Sequence, residues 1–135
     1  MRELDLDELN ESLYELQQNL VELQLERVST QEKIDSFDAS EYISYEEYDD
    51  FINEIHGATV DIAGSVFDPA RVLRVLDRSA YNLGYNDYCA NYNIEDIPEY
   101  RVLTERLNEV ESEMRYIENQ IEELQEGVDR ASQEG

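Results

Sequence analysis

The sequence predicts a mainly α protein with an α+β head: N- and C-terminal helices pair antiparallel as a two-helix coiled-coil stem, and a small head with short helices and a possible β-hairpin is inserted between them. Three observations predict it. Leucines recur at alternating spacings of three and four near the N-terminus, an unbroken heptad row of matching length fills the C-terminal end, and residues 37–97 carry turn signals at short intervals. The expected organisation is an N-terminal coiled-coil helix over 1–36, a head over 37–97, a C-terminal coiled-coil helix over 98–130, and a frayed tail over 131–135.

Residues 4–36 read as one helix. Leu6, Leu9, Leu13, Leu16, Leu20 and Leu23 occupy a and d positions, Arg27 and Thr30 interrupt the stripe, and it recovers at Ile34 and Phe37. Residues 98–130 read as its partner. Asp96 stands as the expected N-cap, with Pro98 in the first turn and Glu99 three residues after the cap. Leu103, Leu107, Val110, Met114, Ile117, Ile121, Leu124 and Val128 then keep the heptad, and Gly127 with the polar ASQEG end marks fraying.

A register in which paired position numbers sum to 130 matches an a residue with a d residue in every layer. The layers are Leu6–Leu124, Leu9–Ile121, Leu13–Ile117, Leu16–Met114, Leu20–Val110 and Leu23–Leu107. It also sets Lys33 by Glu99 and Glu26 by Arg106, whereas a slip of seven in either direction brings like charges together. Each exposed pair contributes only about 0.2–1 kcal/mol, so the apolar layers, at roughly 2 kcal/mol per fully buried side chain, dominate.

A second apolar stripe runs along the first helix: Tyr14, Val21, Leu25 and Val28. Either the head folds over Leu25 and Val28, or two hairpins associate through the stripe as a four-helix homodimer.

Within the head, Tyr45–Ile55 reads as a short amphipathic helix ended by Gly57. Ala58–Phe67 reads as two short strands about Ala63-Gly64, a β-hairpin that needs the neighbouring helices or a partner to be stable. Asp68-Pro69 opens a helix through Val72, Leu73, Val75 and Leu76, and a further helix follows over about 78–90.

Charge limits the partners. There are 34 acidic against 10 basic residues, a net charge of −24, spread as −7 over residues 1–36, −10 over 37–97 and −7 over 98–135. Without a basic stripe the chain is not expected to bind nucleic acid directly or an anionic membrane surface. The expected partner is a basic host protein or nucleoprotein complex, unless the charge serves solubility alone. Cys89 is the only cysteine and no apolar run is long enough to span a bilayer, so a cytoplasmic location is expected.

The segment from Arg71 to about Val128, RVLRVLDRSAYNLGYNDYCANYNIEDIPEY followed by the Glu-rich helix, resembles a family of small acidic coiled-coil proteins of tailed phages and prophages. The run Ala80-Tyr81-x-x-Gly84-Tyr85-Asn86-Asp87-Tyr88 looks like that family's central motif. Members commonly carry proline after the aspartate that is Asp77 here, where this chain has Arg78. The resemblance implies a phage origin and a host-cytoplasm setting, and no defined activity.

No catalytic constellation stands out, and no cofactor or metal is expected. His56 is the only histidine and reads as a helix C-terminal residue, with Asp49, Asp50 and Glu54 as its nearest potential co-ligands. Cys89 has no base to activate it and reads as a buried small apolar residue. Asn91-x-Asn93-x-Glu95 lacks the glycine and glutamate of a calcium loop.

Tyrosine is the informative residue. Tyr81, Tyr85, Tyr88 and Tyr92 recur at four, three and four, a helical face that reads as the head's core with hydroxyls reaching the surface. Tyr42, Tyr45, Glu46, Glu47, Tyr48, Asp49 and Asp50 read as an aromatic-acidic partner-binding surface, with rings for contact area and carboxylates for Arg or Lys. The leading functional expectation is a non-enzymatic inhibitor that resembles the charge of DNA, of the anti-CRISPR or anti-restriction kind. Its carboxylates would lie along a stem about 45–50 Å long. A structural homodimer whose acidity serves only solubility is the alternative.

Overall fold

A computed structural model describes residues 5–134 and is mainly helical, with one small antiparallel sheet. The element order is α1 (Leu6–Asp35), α2 (Tyr45–Ile55), β1 (Val60–Ile62), β2 (Ser65–Phe67), α3 (Pro69–Leu76), α4 (Arg78–Asn91) and α5 (Pro98–Glu134), with 3₁₀ turns at Ala39–Glu41 and Ile94–Asp96. Two compact units result: Phe37–Pro98 forms one, and the segments on either side of it form the other.

In the two-helix unit, α1 and α5 pack together. Asp5 caps α1 by accepting from Glu8 N at 2.8 Å; the expected helical residue 4 lies outside the described residues. Arg106 reaches Glu26 in a bidentate pair, Nε to Oε1 at 2.6 Å and a second guanidinium nitrogen to Oε2 at 2.9 Å. Leu9 meanwhile packs beside Gly127. Ascending numbers on one helix thus meet descending numbers on the other, which is the antiparallel arrangement. The Glu26–Arg106 pair forms, but the expected layers do not: Leu9 meets Gly127 and not Ile121, and Ser12, Leu16 and Asn19 share a groove with Gln120, Glu123 and Leu124, about one heptad from paired numbers that sum to 130. The guanidinium holds the Glu26 carboxyl below its ordinary value. The companion pair, Lys33 with Glu99, does not form.

Burial along this interface is graded. Leu13, Thr30, Val110 and Met114 are buried, Val110 completely, while Leu9, Leu16, Leu20, Leu23, Leu107, Ile117, Ile121 and Leu124 are half-buried. Two paired helices shield only the sides that face each other, so most a and d positions keep one flank in water. Leu6 is exposed, so the expected Leu6–Leu124 layer is not a closed one. Thr30, expected as an interruption, is buried.

Two boundaries differ from expectation. Helix α5 continues through Gly127 to Glu134, past the expected end near residue 130; a single glycine costs a helix only about 1 kcal/mol. Asp96 falls inside a 3₁₀ turn, its N–H donating to Asn93 O at 2.9 Å, and Ile97 is the extended residue that precedes Pro98. A residue before proline is pushed out of the helical region, so the boundary falls one residue later than Asp96.

In the central unit, α2 packs on α3 and α4, and α3 packs on α4. Ser44 caps α2 by accepting from Glu47 N at 3.0 Å. The helix ends as expected: His56 N–H donates to Ile52 O, Gly57 turns left-handed at φ 80°, and Ala58 N closes onto Asn53 O at 2.6 Å. The hairpin pairs Val60 with Phe67 and Ile62 with Ser65, about a turn in which Ala63 and Gly64 both have positive φ. Asp61 accepts from Gly64 N at 2.9 Å and braces that turn. Asp68 caps α3 through Ala70 N, and Asp77 ends α3 and caps α4 through Ala80 N.

Candidate functional site

The central unit is built on an aromatic cluster. Helical spacing puts Tyr48 and Ile52 on one face of α2 and Tyr81, Tyr85, Tyr88 and Tyr92 on one face of α4, and the two helices press these faces together. Tyr48 stands at the centre, with ring centroids 5.2 Å from Tyr81, 5.5 Å from Tyr85 and 5.6 Å from Tyr88. Tyr45 stacks on Tyr85 at 4.2 Å, and Phe51 meets Tyr88 at 4.8 Å. Such offset and edge-on pairs contribute about 0.5–1.5 kcal/mol each beyond area burial.

A buried phenol needs a hydrogen-bond partner, and each partner here comes from nearby in the unit. Tyr48 donates to Tyr81 O at 3.0 Å, and Tyr85 donates to Ile43 O at 2.6 Å and to Ser40 O at 3.0 Å. Tyr81 donates to Asp49 Oδ1 at 2.6 Å, and Tyr92 donates to Glu47 Oε1 at 3.0 Å. Burial raises the Tyr85 phenol to about 12, with the neighbouring Cys89 adding to it. Tyr48, Tyr81 and Tyr88 are raised chiefly by burial, and Tyr92 chiefly by its bond to Glu47. The expected core face is therefore present, but the hydroxyl of Tyr85 bonds inward to backbone carbonyls and does not reach the surface.

The seven-residue aromatic-acidic set divides. Tyr42, Tyr45, Glu46 and Asp50 are exposed. Tyr48 is 3% exposed and belongs to the core, so it is no surface contact. Glu47 and Asp49 are half-buried and occupied, Glu47 by Tyr92 and Asp49 by Tyr81 and by Arg74 at 3.1 Å. The reason is helical geometry: Tyr48, and the acids beside it, turn toward α4 when α2 buries its apolar stripe. Tyr42 is steadied by stacking on Phe37 at 4.8 Å with planes 6° apart.

The other named residues are placed plainly. Cys89 is buried, as expected. His56 is exposed at the end of α2, and among the described residues no three His, Cys, Asp or Glu side chains converge as metal ligands. Tyr14, Val21, Leu25 and Val28 are all exposed, Leu25 by 67%. Among the described residues no helix is long and apolar enough to cross a membrane.

Set against family models, curated proteins and solved structures, the chain matches none.

Two features went unread in the sequence. Arg74 lies over the Tyr81 ring at 5.9 Å and binds Asp49, tying α3 to α2. A groove of about 340 Å³ opens between the hairpin and α3, lined by Ile62, Phe67, Arg71, Val72, Val75 and Leu76. A signal for it existed: α3 carries apolar residues at 72, 73, 75 and 76, more than one helical stripe, and its packing on α2 and α4 leaves Val75 and Leu76 exposed.

Proposed function

We propose that this chain is a non-enzymatic acidic binding protein, phage-encoded, that inhibits a host nucleic-acid-binding protein by occupying its basic surface in place of DNA or RNA. The observation that carries the reading is the distribution of charge: −24 overall, with both units acidic in their own right. On α5, Glu118, Glu122 and Glu126 form an exposed row with a step of about 6 Å, a spacing suited to a track of cationic side chains. On the central unit the contact set reduces to Tyr42, Tyr45, Glu46 and Asp50, whose rings supply area and whose carboxylates pair with Arg or Lys. The target is named by chemistry alone, a cationic groove that ordinarily holds a polyphosphate.

The test is a tagged pull-down from bacterial lysate at low and high salt. Capture of a DNA- or RNA-handling protein that is released by salt supports the reading, because exposed charge pairs are screened. Changing Glu46→Lys together with Asp50→Lys should weaken that capture; retention at full strength removes this face from the contact. A second reading, a structural homodimer, draws on the exposed stripe Tyr14, Val21, Leu25 and Val28. A stable dimer that captures nothing at either salt favours it.

A further inference from the structure

We propose that the groove between the β-hairpin and α3 docks a second copy of this chain, forming a weak, reversible two-fold dimer. The surface is apolar and uncovered. Ile62, Phe67, Val75 and Leu76 line it and are all exposed, Val75 by 69% and Leu76 by 78%. Together they leave on the order of 400 Å² of apolar area in water, a patch of the size that on single chains is often functional. The hairpin that forms one wall has strands of only three residues and no further strand beside it among the described residues. A two-stranded ribbon of that length is marginal alone, and a layer over its apolar face stabilises it.

Charge selects the occupant. The stretch from Ala58 to Leu76 carries Asp61, Asp68, Arg71 and Arg74, a net charge of zero within a chain of −24. Most of the remaining surface is acidic, so two copies meeting there bring acid against acid; here they approach without that penalty. Three of the four charges have local partners: Asp61 accepts from Gly64 N, Asp68 from Ala70 N, and Arg74 binds Asp49. Arg71 lines the groove and has no ion-pair partner among the described residues. In an isologous contact each surface meets itself, so the Arg71 of each copy is offered Asp61 and Asp68 of the other. A basic partner is repelled by Arg71, and the neutral patch holds no excess of cations for a strongly acidic one.

Area sets the strength. Two such faces bury about 800 Å², below the roughly 1,200 Å² of stable specific interfaces, so the dimer forms only at high concentration. Its salt response is opposite to that of the charge-based capture proposed above: screening the repulsion between two −24 bodies strengthens it. The two proposals are independent, and either can fail without the other.

Sedimentation equilibrium of the full chain, from low to several hundred micromolar and at two salt concentrations, tests it. The expected mass rises toward the dimer with concentration, and further at high salt. Val75→Asp with Leu76→Asp should weaken the association by at least about tenfold, with the circular dichroism unchanged because both residues are exposed. Arg71→Glu, also on the surface, should weaken it too, whereas Val21→Asp with Leu25→Asp on α1 should leave it intact. A monomer mass throughout overturns the proposal. So does association that survives the groove changes and is lost with the α1 changes, which moves the contact to the stripe. A chain that stays monomeric while its groove variants lose binding to some other protein assigns the groove to that protein, and equally overturns it.

Discussion

Tyr81 donates its phenolic proton to Oδ1 of Asp49 at 2.6 Å, linking α4 to α2 across 32 residues of sequence. Arg74 on α3 holds the other oxygen of the same carboxylate at 3.1 Å, so one aspartate joins three helices. Asp50, the next residue, is exposed. Replacing Asp49 by alanine strands a buried phenol and should destabilise the protein by about 1–3 kcal/mol. Asp50→Ala should change stability by no more than about 0.5 kcal/mol. Thermal unfolding of the two variants decides the matter: equal midpoints would mean that the Asp49 contacts add nothing.

Gly84 should not tolerate alanine. A Cβ there overlaps the hydroxyl of Tyr48, whose ring is boxed in by Tyr81, Tyr85 and Tyr88 and cannot swing away. Alanine gains about 1 kcal/mol of helix propensity over glycine. Overpacking costs about 1–3 kcal/mol, and the displaced Tyr48 hydroxyl forfeits a bond of about 1 kcal/mol, so the net effect is destabilising. Adding Tyr48→Phe removes the overlapping atom and should recover part of the loss. A double-mutant cycle in urea measures this coupling, and strictly additive effects would refute the clash.

The tyrosine cluster predicts alkaline unfolding. The Tyr85 phenol ionises near 12 in the folded chain, against about 10 unfolded, and Tyr48, Tyr81, Tyr88 and Tyr92 are raised as well. The folded state thus retains protons that the unfolded state gives up. The stability this supplies is complete below about pH 10 and is lost as pH climbs toward 12. Denaturant midpoints followed from neutral pH upward should hold until pH approaches 10 and then fall. Tyr85→Phe should flatten that fall, and an unchanged pH profile in the variant would count against the assignment.

Ala63 sits at φ 54° in the hairpin turn, where asparagine is at ease and alanine is strained. Ala63→Asn, before Gly64, should stabilise the hairpin by about 1 kcal/mol. Slower amide exchange at Phe67 is the readout; faster exchange would show that the turn is set by something else.

Much of the architecture was legible in the sequence. The heptads of Leu9 through Leu23 and Leu107 through Leu124 repeat a local rule over many turns, and repetition makes the period unambiguous. Gly57, Ala63-Gly64 and Asp68-Pro69 act within three or four residues of themselves, so their capping and turning were readable in place. The antiparallel pairing of α1 with α5 was reachable from their matching heptads, but the register was not, because a heptad repeat fits equally well after a slip of seven and Leu9 lies beside Gly127 instead of Ile121.

The division of the acidic residues was not legible. Asp49 and Asp50 are chemically identical neighbours in the sequence, yet one is bonded by Tyr81 and Arg74 and the other faces solvent. Glu46 and Glu47 part in the same way, Glu47 being taken by Tyr92. Composition and period determined a mainly helical, strongly acidic chain with an aromatic face on α4. Only the tertiary structure decided which carboxylates stay free for a partner and which apolar residues of α3 stay uncovered. Helical phase fixes a residue's direction from its own axis, whereas burial depends on which other helix lies in that direction, and that is a property of the packed fold.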